Sequence, residues 1–101
     1  MKNNVFDLSG KNAVVTGGSR GLGKSFAESL ANAGANIIIV DVDRNEQTEK
    51  EIMAYGVSCE TIQFDLADFD HYSELVDTVI SKYGKVDILV NNAGIQRRHP
   101  S

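Results

Sequence analysis

The sequence predicts an α/β fold built on a doubly wound parallel sheet, and three observations lead there. Short apolar runs alternate along the chain with segments of helical periodicity. One run, NIIIVD (Asn36–Asp41), is unbroken, as expected for a strand covered on both faces. A glycine-rich stretch, TGGSRGLG (Thr16–Gly23), lies where the first strand must hand over to the first helix.

Each element follows in order. NAVVT (Asn12–Thr16) is short, β-branched and apolar, and reads as the first buried strand. After the glycines, Leu22, Phe26 and Leu30 recur every four residues beside Ala27, Ala31 and Ala33. That predicts an apolar helix face ending at Gly34. Asn36–Asp41 is the second strand. Asp43 with Glu46 three residues on has the form of a capping box. It would open a helix to about Tyr55, with Ile52 and Met53 as its clearest apolar contacts. SCETIQFD (Ser58–Asp65) alternates imperfectly and reads as the third strand. Asp68 is placed to cap a third helix carrying a stripe of Leu75, Val76, Val79, Ile80 and Tyr83, with Gly84 as its stop. VDILV (Val86–Val90) is the fourth strand. The order β-α-β-α-β-α-β with right-handed crossovers implies strand order 3-2-1-4. This is the N-terminal portion of a Rossmann-like sheet, one half plus the first strand across the switch point.

Totals exclude several functions. The chain has 101 residues, enough for one small domain, and a formal net charge of -4. That balance argues against binding a phosphate backbone or an anionic membrane. The longest apolar runs are too short to span a bilayer, and the first residues carry no signal-peptide core. Cys59 is the single cysteine and reads as a small core residue. No His/Asp/Glu cluster has metal-ligand spacing, so no metal is expected. A cytoplasmic location fits these features.

The glycines have a physical use. A helix N-terminus offers free backbone N–H groups and a favourable dipole to a pyrophosphate. Side chains at Gly17, Gly21 or Gly23 would keep phosphates from the backbone or the helix from the sheet. The spacing is Gly-x-x-x-Gly-x-Gly, and by itself it also suits a ligand-free turn. Asp41 ends the second strand, where a carboxylate reaches an adenosine ribose. Asp65 ends the third, and NNAG (Asn91–Gly94) ends the fourth. Each also reads as an ordinary turn residue or a polar turn.

Taken together, TGGSRGLG, FDLAD (Phe64–Asp68) and VDILVNNAG resemble the N-terminal part of the short-chain dehydrogenase/reductase family. The resemblance covers essentially the whole chain. It implies a partial NAD(P)-binding domain over residues 1–101, without the family's C-terminal catalytic part. It places Gly17, Ser19, Arg20, Gly21, Leu22 and Gly23 along the phosphate and ribose region, and Asp41 on the adenosine ribose. Asp65 and Leu66 would flank the adenine. Asn91, Ala93 and Gly94 would lie along the cofactor. NNAGIQRRHP is similar to the family's gluconate 5-dehydrogenases, which act on gluconate and 5-ketogluconate. By that likeness Arg97, Arg98 and His99 would bring positive charge to an anionic sugar acid; as plain sequence they are a solvated basic tail.

The family's general acid–base pair is Tyr-x-x-x-Lys. Tyr55, Tyr72 and Tyr83 are followed four residues on by Cys59, Val76 and Asp87, so no such pair occurs and no catalytic residue is assigned. The expectation is the cofactor-binding portion of a sugar-acid oxidoreductase, inactive by itself. The alternatives are a non-catalytic nucleotide-binding half-domain and a truncated product without function. Asp41 favours NAD, while Arg20 is a candidate partner for the 2′-phosphate of NADP. Complete family members are expected to be homo-oligomers, and this chain to be prone to self-association.

Overall fold

In the computed structural model, which describes residues 7–92, four strands form one parallel sheet in the order β3-β2-β1-β4. The strands are β1 (Asn12–Thr16), β2 (Asn36–Asp41), β3 (Cys59–Gln63) and β4 (Ile88–Asn91). The helices between them are α1 (Gly21–Asn32), α2 (Glu46–Met53) and α3 (Tyr72–Tyr83), the last preceded by a 3₁₀ turn at Phe69–His71. The predicted fold class and strand order are those observed.

Alternation along the central strands explains the layers. Ala13 and Val15 of β1 and Ile37 and Ile39 of β2 face α1 and α2, joining Ala27, Ala31 and Ile52 in one buried cluster. Val14, Ile38 and Val40 point the other way and meet Val79 of α3. Ile37, Ile38, Ile39 and Val40 are all buried; each such side chain contributes about 1.5–3 kcal/mol by leaving water. The register aligns Val14 with Ile38 on one side and Leu89 on the other. All four strands therefore bring their carboxyl ends to one edge.

Several expectations need correction. On the predicted face of α1, Ala27 and Ala31 are buried with Gly23, and Phe26 and Leu30 pack half-buried against the same cluster, so only Leu22 departs from the expectation. Small residues let the helix lie close on the sheet, and the larger side chains flank the contact, with Leu22 51% exposed. The cap of α2 is Asn45, whose side chain accepts from the Thr48 N–H at 3.1 Å; Asp43 lies too far upstream. Ile52 is buried as expected, but Met53 faces water. Asp68 does not cap α3: the intervening 3₁₀ turn makes His71 the flanking residue, and the Asp68 carboxylate meets the His71 ring at 2.7 Å instead. Of the α3 stripe, Val79 is buried while Val76 and Ile80 remain exposed, because no described element packs beyond β4 to cover that flank of the helix. Strand ends also moved: β3 is shorter than Ser58–Asp65, and β4 starts at Ile88 and runs to Asn91. Among the described residues, no helix is long and apolar enough to cross a membrane.

Candidate functional site

The turn after β1 begins as an extension of the sheet. Gly17 N–H donates to the Val40 carbonyl at 2.8 Å, and the backbone then turns away with φ of 67° at Gly17 and 62° at Gly21. These left-handed values suit glycine. Gly23 is required for a different reason. A Cβ there would stand 2.0 Å from the Gly17 carbonyl oxygen and 2.7 Å from Asn92 Nδ2. The loop folds back against its own helix, and only a hydrogen fits between them.

The helix end is open toward an anion. Arg20 flanks α1 without a side-chain capping bond, and the first turn holds no acidic residue. The leading N–H groups are therefore not answered by a carboxylate of the same turn. Arg20 extends into solvent and pairs with Asp43 at 3.4 Å, both side chains mostly exposed.

Asp41 stands beside this helix end. Ser19 Oγ donates to Asp41 Oδ2 at 2.6 Å, and Ser19 N–H reaches the same oxygen at 3.3 Å. Asp43 N–H donates to Oδ1 at 3.3 Å. Burial works against the charge, but the bonds from the Ser19 hydroxyl and from the surrounding N–H groups outweigh it. The carboxyl is held below its ordinary range. The strand-end aspartate and the glycine loop, 22 residues apart, form one hydrogen-bonded unit.

Further along the edge, Asp65 is exposed and folds into a turn: Oδ1 accepts from Ala67 N–H at 2.9 Å. Leu66 packs against the α3-side core, and its carbonyl accepts from the Tyr72 hydroxyl at 3.0 Å. Asn91 ends β4 opposite Thr16, whose hydroxyl donates to Asn91 Oδ1 at 3.2 Å. The structure thus brings Gly17, Ser19, Arg20, Gly21, Leu22, Gly23, Asp41, Asp65, Leu66 and Asn91 to one sheet edge or the turns leaving it. Ala93, Gly94, Arg97, Arg98 and His99 lie outside the described residues.

Three residues unassigned from the sequence, Asn92, Thr48 and Asn45, hold the glycine loop. Asn92 is fully buried and donates through Nδ2 to the Gly17 carbonyl at 3.2 Å, tying the turn after β4 to the glycine loop. Among the described residues its Oδ1 has no partner. The doubled asparagine was the available signal. Thr48 of α2 is buried and donates to the Ser19 carbonyl at 2.7 Å; Asn45 Nδ2 reaches the same oxygen at 3.4 Å. No local pattern marks Thr48. Arg44, just beyond β2, is engaged with α2: its Nε and Nη2 grip the Glu49 carboxylate at 3.0–3.3 Å. Cys59 is buried on the α2 side of β3. Burial, with Glu49 and Glu60 nearby, pushes its thiol up to about 12, so it is an inert core residue.

Comparison with known proteins agrees with this geometry. Residues 11–101 match the family model for short chain dehydrogenase. The chain is 41% identical over 95 residues to the 2-dehydro-3-deoxy-D-gluconate 5-dehydrogenase of Dickeya dadantii, covering 94% of this chain and 38% of that one. A crystal structure of 3-oxoacyl-(acyl-carrier protein) reductase from Brucella melitensis in complex with NAD superposes with a TM-score of 0.76 at 33% identity, over 80% of this chain and 32% of that one. A metagenomic short-chain oxidoreductase in complex with NADP gives 0.76 at 36% identity, over 81% and 38%. The chain therefore spans well under half the length of these relatives. A model match over nine-tenths of the sequence, on a sheet of the order 3-2-1-4, settles the family: the chain belongs to the short-chain dehydrogenases.

Proposed function

We propose that this chain is the cofactor-binding portion of an NAD(P)-dependent oxidoreductase acting on a sugar acid. One observation carries the cofactor reading: an ionised carboxylate, Asp41, is fastened by Ser19 beside the open N-terminus of α1. A pyrophosphate over α1 would meet backbone N–H groups, and the adjoining ribose would meet Asp41. Asp65 and Leu66 then border the adenine, and Asn91, Ala93 and Gly94 the remaining length of the cofactor. The NAD and NADP bound to two related structures support a nicotinamide dinucleotide. Likeness to the Dickeya enzyme supports a sugar-acid substrate, to which Arg97, Arg98 and His99 would offer positive charge.

NAD is the preferred dinucleotide in this reading. A ribose diol can donate to Asp41, whereas a 2′-phosphate sets like charge against it. At ~4 Å and an effective dielectric near 20, two unit charges interact by about 4 kcal/mol before screening. Arg20 can offset part of this. Arg44 is held by Glu49 and contributes less. To test this, residues 1–101 are joined to the C-terminal part of a related short-chain enzyme and both dissociation constants are measured. Asp41→Ala should shift preference toward NADP; an unchanged ratio would remove Asp41 from the ribose.

The hydride-transfer chemistry needs a proton donor or acceptor at the substrate oxygen, and these 101 residues carry no Tyr-x-x-x-Lys pair. General acid–base catalysis contributes about 10²–10⁴-fold. The 101-residue chain by itself is expected to show no gluconate-dependent reduction of NAD or NADP, followed by the absorbance of the reduced nicotinamide. Turnover comparable to a full-length relative would contradict this.

A further inference from the structure

The contact between α2 and the glycine loop is made by hydrogen bonds as well as by packing. Thr48 is the third residue of α2 and is buried, and its hydroxyl bonds outside its own helix. Here it reaches 29 residues back along the chain, to the Ser19 carbonyl at 2.7 Å. Asn45 accepts the Thr48 N–H while its Nδ2 reaches the same carbonyl, so the cap of α2 and the loop share one bonded unit. On its other side Ser19 presents both its N–H and its Oγ to a single oxygen of Asp41. Ser19 itself is only 2% exposed. The loop residue is thus gripped from two sides, its carbonyl by α2 and its donors by the end of β2.

We propose that Thr48 is a positioning residue for Asp41, acting through Ser19. The inference rests on the reading of Asp41 as the ribose contact. Thr48 fixes the Ser19 carbonyl; the peptide and side chain of Ser19 then fix Asp41 Oδ2. The carboxylate meets the ribose in one set orientation, without a reorganisation cost on binding. Release of Ser19 lets the carboxylate turn toward water. NAD loses a prepared acceptor, while NADP loses part of a repulsion, so the two affinities move apart from their original ratio. A role confined to folding would lower stability and leave that ratio alone.

Two readouts test this: dissociation constants for NAD and NADP, and the titration of the Asp41 carboxyl followed by ¹³C NMR without ligand. The NMR uses the 101-residue chain at concentrations where scattering shows a monomer. Thr48→Val keeps the shape and removes the hydroxyl. It should weaken NAD about two- to tenfold, the equivalent of one hydrogen bond, with a smaller change for NADP. The Asp41 titration should move up toward the ordinary carboxylate value. Thr48→Ser should restore both. If Thr48→Val does not fold, Asn45→Ser keeps the helix cap, withdraws the second donor and should move both readouts in the same direction. A folded Thr48→Val with an unchanged dinucleotide ratio and an unchanged Asp41 titration overturns the proposal, whatever its stability. A parent chain that binds neither dinucleotide, while Thr48→Val still raises the Asp41 titration, removes the nucleotide reading and leaves the Thr48–Ser19–Asp41 relay standing.

Discussion

Gly23 shows how little room one position can leave. Alanine is ordinarily the better helix residue by about 1 kcal/mol, so on propensity alone Gly23→Ala would stabilise α1. The close approach of the Gly17 carbonyl reverses the sign, since backbone rather than a flexible side chain would have to move. Gly23→Ala is expected to cost about 3 kcal/mol in urea unfolding and to break the Asn92–Gly17 bond. An unchanged midpoint would show that α1 can shift freely on the sheet. Cys59 makes a second residue-level case. Its thiol, pushed up to about 12, is protonated throughout the neutral range and buried. Iodoacetamide should therefore label it only at the rate at which the sheet opens, and labelling in urea should follow the unfolding curve.

At the scale of elements, α2 depends on a charge pair. Glu49 is a mostly buried carboxylate, its side chain 6% exposed, and Arg44 grips it with two nitrogens. The Arg44 bond is the main cause holding the Glu49 carboxyl below its ordinary value. A lowered folded-state value means stability that is present above the unfolded value, about 4.3, and is lost as pH falls through the folded one. Arg44→Met leaves the carboxylate buried without its partner. Because Arg44 is itself half exposed, solvent screening makes the expected cost at pH 7 smaller than that of breaking a fully buried pair. The gap between variant and parent should hold down to about 4.3 and close only as pH falls below that, through the lower folded-state value, in urea melts carried from neutral into that range. A gap independent of pH would assign the loss to packing. The pair also shows which elements were legible. Ile37–Val40 and Ala13–Val15 announced their strands because burial on both faces demands continuous apolar residues. The glycine loop and Asp41 were legible because one directly follows the first strand and the other ends the second. Asn45, Thr48 and Asn92 were not: Thr48 meets Ser19 across 29 residues and Asn92 meets Gly17 across 75, contacts that arise only when helices settle on the sheet. The α3 stripe was legible as a pattern but misleading as burial, since helical spacing says which residues share a face and not whether anything covers it.

For the molecule as a whole, that face carries a run of exposed apolar side chains among the described residues. Leu89 of β4 is 65% exposed, and Val76 and Ile80 of α3 are 55% and 46% exposed. With Val86 and Leu75 they line an apolar groove of roughly 400 Å³ on the α3 side of the sheet. Among the described residues β4 pairs only with β1, so its outer edge also presents backbone groups to solvent. The opposite face has no such deficit, because α1 and α2 cover it and bury Ile52, Ala27 and Ala31. Contiguous exposed apolar surface next to an open strand favours association. The 101-residue chain taken by itself is therefore expected to scatter light above its monomer mass of 11.0 kDa, increasingly with concentration. Ile80→Gln and Leu89→Gln together should reduce that association without disturbing the α1 and α2 side, where hydrogen exchange in β1 and β2 should stay slow. If the double variant associates as strongly as the parent, the apolar face is not responsible and the edge of β4 is the better candidate. A parent chain that stays monomeric at high concentration, with β4 as protected as β1, would mean that the groove is covered by the chain itself.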